Sequence, residues 1–165
     1  MPASSYRLED LVPHRAPMLL VDEIVSFDEE NLAVRAAATI RPEWSGNWAA
    51  IELMAQTAAA LAGLHDRRAG YSGPPRAGFL LGTRRLELSL AAFEVGRRYD
   101  VTARNLFMDD EAASFDCAVL DGEKTVAHAI LTAYRPADIE DFLSRRAARE
   151  AAAREEQDHQ PERKN

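Results

Sequence analysis

The stretch NWAAIELMAQTAAALAGLHDRR, residues 47–68, decides how the rest of the chain is read. Ile51, Met54, Ala55, Ala58, Leu61, Ala62 and His65 recur at three- and four-residue steps, which gathers them on one face of a helix. The alanines favour helix at every position and keep it thin, so that a sheet can close on it at short range. Gly46 and Asn47 open the helix, with Asn47 as the expected N-cap, and Gly63 followed by Gly70 weakens and then ends it. Into this apolar cylinder is set Glu52, with Gln56 one turn later on the same side. A carboxylate in such surroundings is costly unless it is paired, hydrated or protonated. Two readings fit it: an exposed first-turn residue favoured by the helix dipole, or a buried working group.

The chain has 165 residues, 47% of them hydrophobic, which is enough for one domain with a full core and hardly enough for two. Its net charge of −7 argues against general binding to nucleic acid or to an anionic membrane. The charge is uneven. Between His65 and Arg98 stand seven arginines against three acids, a local +4 that reads either as a solvated face or as a docking surface for an acidic partner. The single cysteine, Cys117, excludes an internal disulfide, and no CxxC or HxxxH spacing offers a metal site. No apolar run approaches the roughly 20 residues of a membrane span, and MPASSYRLEDL lacks the basic start and apolar centre of a signal peptide. A cytoplasmic protein without metal or cofactor is expected.

Working outward from the helix, residues 6–12 predict a short amphipathic turn marked by Tyr6, Leu8 and Leu11 and stopped by Pro13 and Pro17. Residues 18–27 and the alternating Leu32, Val34, Ala36, Ala38 and Ile40 predict a hairpin, and RPEWSG connects it to the helix with Trp44 and Trp48 available to pack at its edges. After the glycine- and proline-rich loop GYSGPPRAG come four extended segments, at 78–90, 99–107, 115–119 and 126–134. Within them Cys117 reads as a small buried hydrophobe, and His128, in step with Val126 and Ile130, as a satisfied core histidine. The tail from Pro136 predicts a charged, alanine-rich helix anchored by Ile139, Phe142 and Leu143, with disorder from Asp158 onward. A hairpin, a long helix and then about four antiparallel strands define an α+β domain, a curved antiparallel sheet wrapped around one long central helix. That is the hot-dog fold, expected over residues 1–143, with residues 144–165 as charged C-terminal helix and tail.

Three strings carry a family resemblance: PHRAPMLLVDEI at 13–24, IELMAQTAAALAG at 51–63 and GFLLGTRRLELSLAAFEVG at 78–96. In this order they resemble the hot-dog 3-hydroxyacyl-[acyl carrier protein] dehydratases of fatty-acid and polyketide synthesis, over about residues 8–142. ELMAQT together with FLLGTRR is most similar to the dehydratase-like proteins of aryl-polyene and related pigment clusters. The resemblance implies that Glu52 is the catalytic acid, that Gln56 orients it, and that His14 belongs to a structural Pro-His-Arg turn. It also implies an acyl carrier protein as partner and a second subunit, identical or a sister dehydratase, that completes the site through the strand around 78–90.

Dehydration of a 3-hydroxyacyl thioester needs a base for the α proton, an acid for the departing hydroxyl and donors for the thioester oxygen. Amides around Gly46, Asn47 and Trp48 are the expected donors, at the positive end of the helix dipole. Glu52, desolvated among alanines and leucines, is the expected acid. Phe79, Leu80, Leu81 and Gly82, on the strand of the third string, line an acyl slot or form plain sheet core. Arg67, Arg84 and Arg85 are the expected carrier-docking residues. The common dehydratases carry a catalytic histidine in the loop before the helix, in a His-Phe-Pro-Gly type motif; here that loop reads RPEWSGNWAAI, without histidine. His65 cannot replace it within one subunit, because it stands about 20 Å further along the helix from Glu52. Three functions remain open at this point: a dehydratase, a hot-dog acyl thioesterase whose helix carboxylate activates water, and a non-catalytic subunit that binds acyl carrier protein.

Overall fold

The computed structural model describes residues 6–136, 139–140 and 143–149. The expected anchor Phe142 and the tail from Asp158 lie outside the described residues. The chain divides into two units, Met1–Arg135 and Pro136–Asn165. In the second, residues 139–140 and 143–149 are helical.

The first unit begins with a 3-10 turn at Leu8–Asp10, followed by β1 (Glu23–Asp28), β2 (Ala33–Thr39), a second 3-10 turn at Pro42–Trp44, and α1 (Ala49–Arg68). Four strands complete it: β3 (Phe79–Leu88), β4 (Arg98–Met108), β5 (Ala112–Asp121) and β6 (Lys124–Tyr134). They form one six-stranded sheet in the order β1-β2-β4-β5-β6-β3, with every pairing antiparallel. This is the hot-dog arrangement. The helix lays Leu53, Met54, Leu61 and Leu64 against Val34, Ala36 and Ala38 of β2, Val101 and Ala103 of β4, and Phe115, Cys117 and Val119 of β5, all buried. Small residues on the strands under the helix let it sit close, and each buried leucine contributes about 1.5–3 kcal/mol by leaving water.

Two boundaries differ from expectation, each for a local reason. The first strand starts at Glu23 rather than near Met18, because the Met18 carbonyl and the Leu20 and Val21 amides bond to the Gln56 side chain instead of a neighbouring strand. The helix starts two residues after Asn47. Trp48 occupies the N-cap without a side-chain cap bond, and the amides of Ala49, Ala50 and Ile51 bond the carbonyls of Gly46, Asn47 and Trp48.

The helix C-terminus is closed by a Schellman motif. Gly70 takes φ +86° and its amide bonds the Arg67 carbonyl, while the Tyr71 amide bonds that of Asp66. Gly63 has a different task from the weakening expected of it. A Cβ there would stand 2.3 Å from the Leu11 carbonyl oxygen, so the glycine lets the N-terminal turn lie directly on the helix. Leu8, Leu11 and Val12 are buried in that contact. The strand β3 forms one edge of the sheet and is exposed along most of its length, with Leu81, Leu86 and Leu88 among its uncovered side chains.

Candidate active site

Glu52, Ala55, Ala59, Ala62 and Asp66 follow one another at three- and four-residue steps, so they form a single stripe along α1. That stripe is one wall of a cleft of about 320 Å³. Leu11 and Pro13 from the N-terminal turn, Phe79 and Leu80 from β3, Phe115 from β5 and Leu131 from β6 contribute to the other walls. Between Glu52 and Asp66 the helix wall offers only alanine and glycine, without a hydrogen-bonding side chain, over about 21 Å at the helical rise of 1.5 Å per residue.

The end near the helix N-terminus is built around Glu52. Its side chain is 32% exposed, so it sits at the cleft mouth rather than sealed among alanines and leucines. Gln56, fully buried, holds it. The Gln56 Nε2 donates to Glu52 Oε1 at 2.7 Å and to the Met18 carbonyl at 2.7 Å, while its Oε1 accepts the Leu20 amide at 2.8 Å. The amide orientation is fixed, since the groups facing its oxygen are backbone donors and the Met18 carbonyl facing its nitrogen only accepts. His14 completes this end, with Nε2 3.7 Å from Glu52 Oε1. Its turn is pinned by Arg15, whose guanidinium donates to the carbonyls of Val12, His14 and Glu9 at 2.9, 2.7 and 3.1 Å. The Nδ1 of His14 is buried and has no hydrogen-bond partner.

At the other end Asp66, 8% exposed, accepts from Arg135 Nη1 at 2.7 Å and lies 4.0 Å from Arg76 Nη1. Arg76 in turn stacks over the Tyr71 ring at 4.1 Å. Among the described residues no group of three or more His, Cys, Asp or Glu side chains could hold a metal ion.

The model of the ApeP-like family, described as ApeP dehydratase, matches residues 6–144, which includes both ends of the cleft. The chain belongs to the ApeP-like dehydratase family. No curated protein sequence matches it. In structure it is similar to the dehydratase heterocomplex ApeI:P from Xenorhabdus doucetiae, at 22% identity and a TM-score of 0.75, covering 87% of this chain and 96% of that one. It is also similar to the HP0420 homologue from Helicobacter felis, at 12% identity and a TM-score of 0.55, covering 84% and 92%. A hypothetical thioesterase with coenzyme A from Streptococcus pneumoniae matches at 11% identity and a TM-score of 0.50, covering 69% and 84%. At such identities the likeness shows the hot-dog fold.

In this chain the cleft gathers Glu52, Phe79 and Leu80 but not Leu81 or Gly82, and not Gly46, Asn47 or Trp48. The Trp48 indole folds over Gly46, and the amides of Ala49, Ala50 and Ile51 are bonded to the carbonyls of Gly46, Asn47 and Trp48. Arg67 donates to the carbonyls of Tyr71, Gly73 and Asp10 and thereby ties the loop after α1 to the N-terminal turn. Arg84 and Arg85 lie exposed on β3, and their side chains have no ion-pair or hydrogen-bond partner among the described residues.

His128 is not a core histidine. It lies on the sheet face away from α1, half-buried, with Nε2 2.7 Å from Asp116 Oδ1; Arg104 holds the other oxygen at 3.0 Å. Partial burial works against the Asp116 charge, but the hydrogen bonds from Arg104 and His128 outweigh it and hold the carboxyl below its usual range. Cys117, facing the core, has its thiol pushed well up by burial, so it is an inert apolar group at neutral pH.

The residue that sequence reasoning missed is His14. Its place in a Pro-His-Arg turn pointed to a structural role. No local signal in the sequence marks it; the structure shows the turn docked through the buried Leu8, Leu11 and Val12, with Gly63 against the Leu11 carbonyl.

Proposed function

We propose that this chain dehydrates 3-hydroxyacyl thioesters carried by acyl carrier protein, in a fatty-acid or polyketide pathway of the aryl-polyene type, alongside a sister dehydratase subunit. The observation that carries the reading is the Glu52–His14 pair at the mouth of an apolar cleft. The stretch beside Ala55, Ala59 and Ala62 suits an acyl chain and not the pantetheine arm, whose amides would go unbonded there. That orientation leaves the thioester and its 3-hydroxyl at Glu52. The bare edge of β3 is the surface on which a second subunit would add its own strand and close the cleft, and the likeness to the ApeI:P heterocomplex supports a sister dehydratase as that subunit.

The test is a turnover assay with 3-hydroxyacyl and saturated acyl thioesters on carrier protein, with and without the sister subunit. Dehydration of the hydroxyacyl substrate is expected. Hydrolysis of the saturated thioester would replace this reading with a thioesterase, and carrier binding without either reaction would replace it with a non-catalytic subunit. Carrier docking falls to Arg84 and Arg85, because Arg67 is committed within the fold. Reversing both charges should lower turnover of carrier-bound substrate several-fold, more at low salt than at high, and spare a short pantetheine thioester. Equal losses on both substrates would assign the two arginines to the fold or the pocket.

A further inference from the structure

We propose that His14 serves as a neutral hydrogen-bond donor through Nε2, and that Glu52 alone carries the proton, taking it from C2 of the substrate and returning it to the departing hydroxyl. This deepens the dehydration reading above and rests on it. The first observation is the buried, unpartnered Nδ1 of His14. A proton there would be an N–H without an acceptor, at a cost of about 1–3 kcal/mol, whereas a bare lone pair in the same place is better tolerated. The single proton of the neutral ring therefore sits on Nε2, the nitrogen that faces Glu52. With Nε2 occupied, the ring has no accessible lone pair with which to take a proton from the substrate.

The second observation is the set of groups around the Glu52 carboxylate. Gln56 Nε2 and His14 Nε2 both face Oε1, and both are donors, the surroundings of an ionised acceptor. Oε2 has no hydrogen-bond partner among the described residues and is the free base. In the reaction the C2–H bond breaks, its proton goes to Oε2, and the electron pair forms the C2–C3 double bond as the C3–O bond breaks. The leaving hydroxyl takes the proton back from Oε2 and departs as water. Glu52 ends ionised as it began, so no other proton donor or co-reactant is required. His14 Nε2–H meanwhile donates to the thioester oxygen as charge grows there, a role that the amides of Ala49, Ala50 and Ile51 do not fill because they are spent on backbone bonds. A neutral imidazole polarising a carbonyl is an established device in enzymes.

The experiment compares His14→Gln with His14→Ala in the complex with the sister subunit, where glutamine keeps a donor near the Nε2 position but cannot act as a base. His14→Gln should stay within about tenfold of wild-type kcat/KM and His14→Ala should lose about 10²–10³-fold, the worth of one oxyanion donor. Equal, deep losses in both, with unchanged melting temperatures, would overturn the donor role. Nitrogen-15 spectra of His14 in the wild-type protein read the tautomer directly: a protonated Nε2 and bare Nδ1 are expected, and the reverse would overturn the proposal. Wild-type protein that turned over no hydroxyacyl thioester would sink the dehydration reading, while the spectra would still decide where the His14 proton sits.

Discussion

The two ends of the cleft each hold one carboxylate of the same helical stripe, and the two are held in opposite ways. Glu52 is 32% exposed, receives one hydrogen bond and leaves Oε2 free. The Asp66 side chain is 11% exposed and has both oxygens facing guanidinium groups, of Arg135 and Arg76. One is held at an angle by an amide and kept open to the cleft; the other is neutralised in place. A carboxylate whose oxygens face guanidinium groups is already engaged by their positive charge, whatever its position on the helix. On the proposed reading, exposure and the identity of the partner, rather than apolar surroundings, separate a working acid from a structural one.

If that division holds, substitution at the two ends should split activity from stability. Glu52→Gln keeps the shape and cannot exchange a proton, so it should lower kcat by about 10²–10⁴-fold with little change in melting temperature. Wild-type dehydration rates in this variant would end the mechanism. Asp66→Ala should do the reverse. It leaves Arg135, whose side chain is 22% exposed, without its carboxylate, and should cost about 3 kcal/mol in a urea titration, the low end for breaking a buried pair. The folded fraction should retain its kcat. A large fall in kcat at unchanged stability would put Asp66 in the chemistry and break the comparison.

Much of this was legible in the sequence. The two-residue period of Val34 to Ile40 and of Tyr99 to Ala103 reports burial on one face, but a bulge between Asn105 and Phe107 leaves Phe107 exposed, and α1 buries Leu53 and Leu64 while Ile51, Ala55, Ala62 and His65 of the expected face are only half-buried. The pairing of Glu52 with Gln56 was also legible, because an i, i+4 spacing leaves two side chains in reach. His14 was not, since its partner is 38 positions away and nothing local records where a loop docks. The helix N-cap failed for a similar reason. Asn47 is a good cap by residue type, but Gly46 bridges to Ala92 and Trp48 folds back over it, so tertiary contacts set the start of the helix.

Gly63 tests the link between the turn and the Glu52 end. In Gly63→Ala the added methyl meets the Leu11 carbonyl, a backbone atom that can yield only by moving the turn. The expected cost is about 1–3 kcal/mol, as for other overpacked contacts. Because His14 follows three residues after Leu11, kcat should fall as well, by less than in Glu52→Gln. Full activity together with full stability would mean that the turn does not place His14.

The smallest effect belongs to a third carboxylate, Asp116, which sharpens the comparison because it is ion-paired like Asp66 yet about as exposed as Glu52. Exposed pairs are screened by solvent, so Asp116→Asn should cost at most about 1 kcal/mol, well below Asp66→Ala. Its pH dependence has a definite sign. The folded carboxyl is held below its ordinary value, so its contribution is complete above the unfolded value of about 3.9 and is lost as pH falls from there through the depressed one. Wild type and Asp116→Asn should therefore differ in urea stability at pH 7 and converge toward pH 3. A difference that persisted undiminished at pH 3 would show that the substitution acts through packing against His128 rather than through charge. A difference at pH 7 as large as that of Asp66→Ala would show that exposure does not separate these carboxylates.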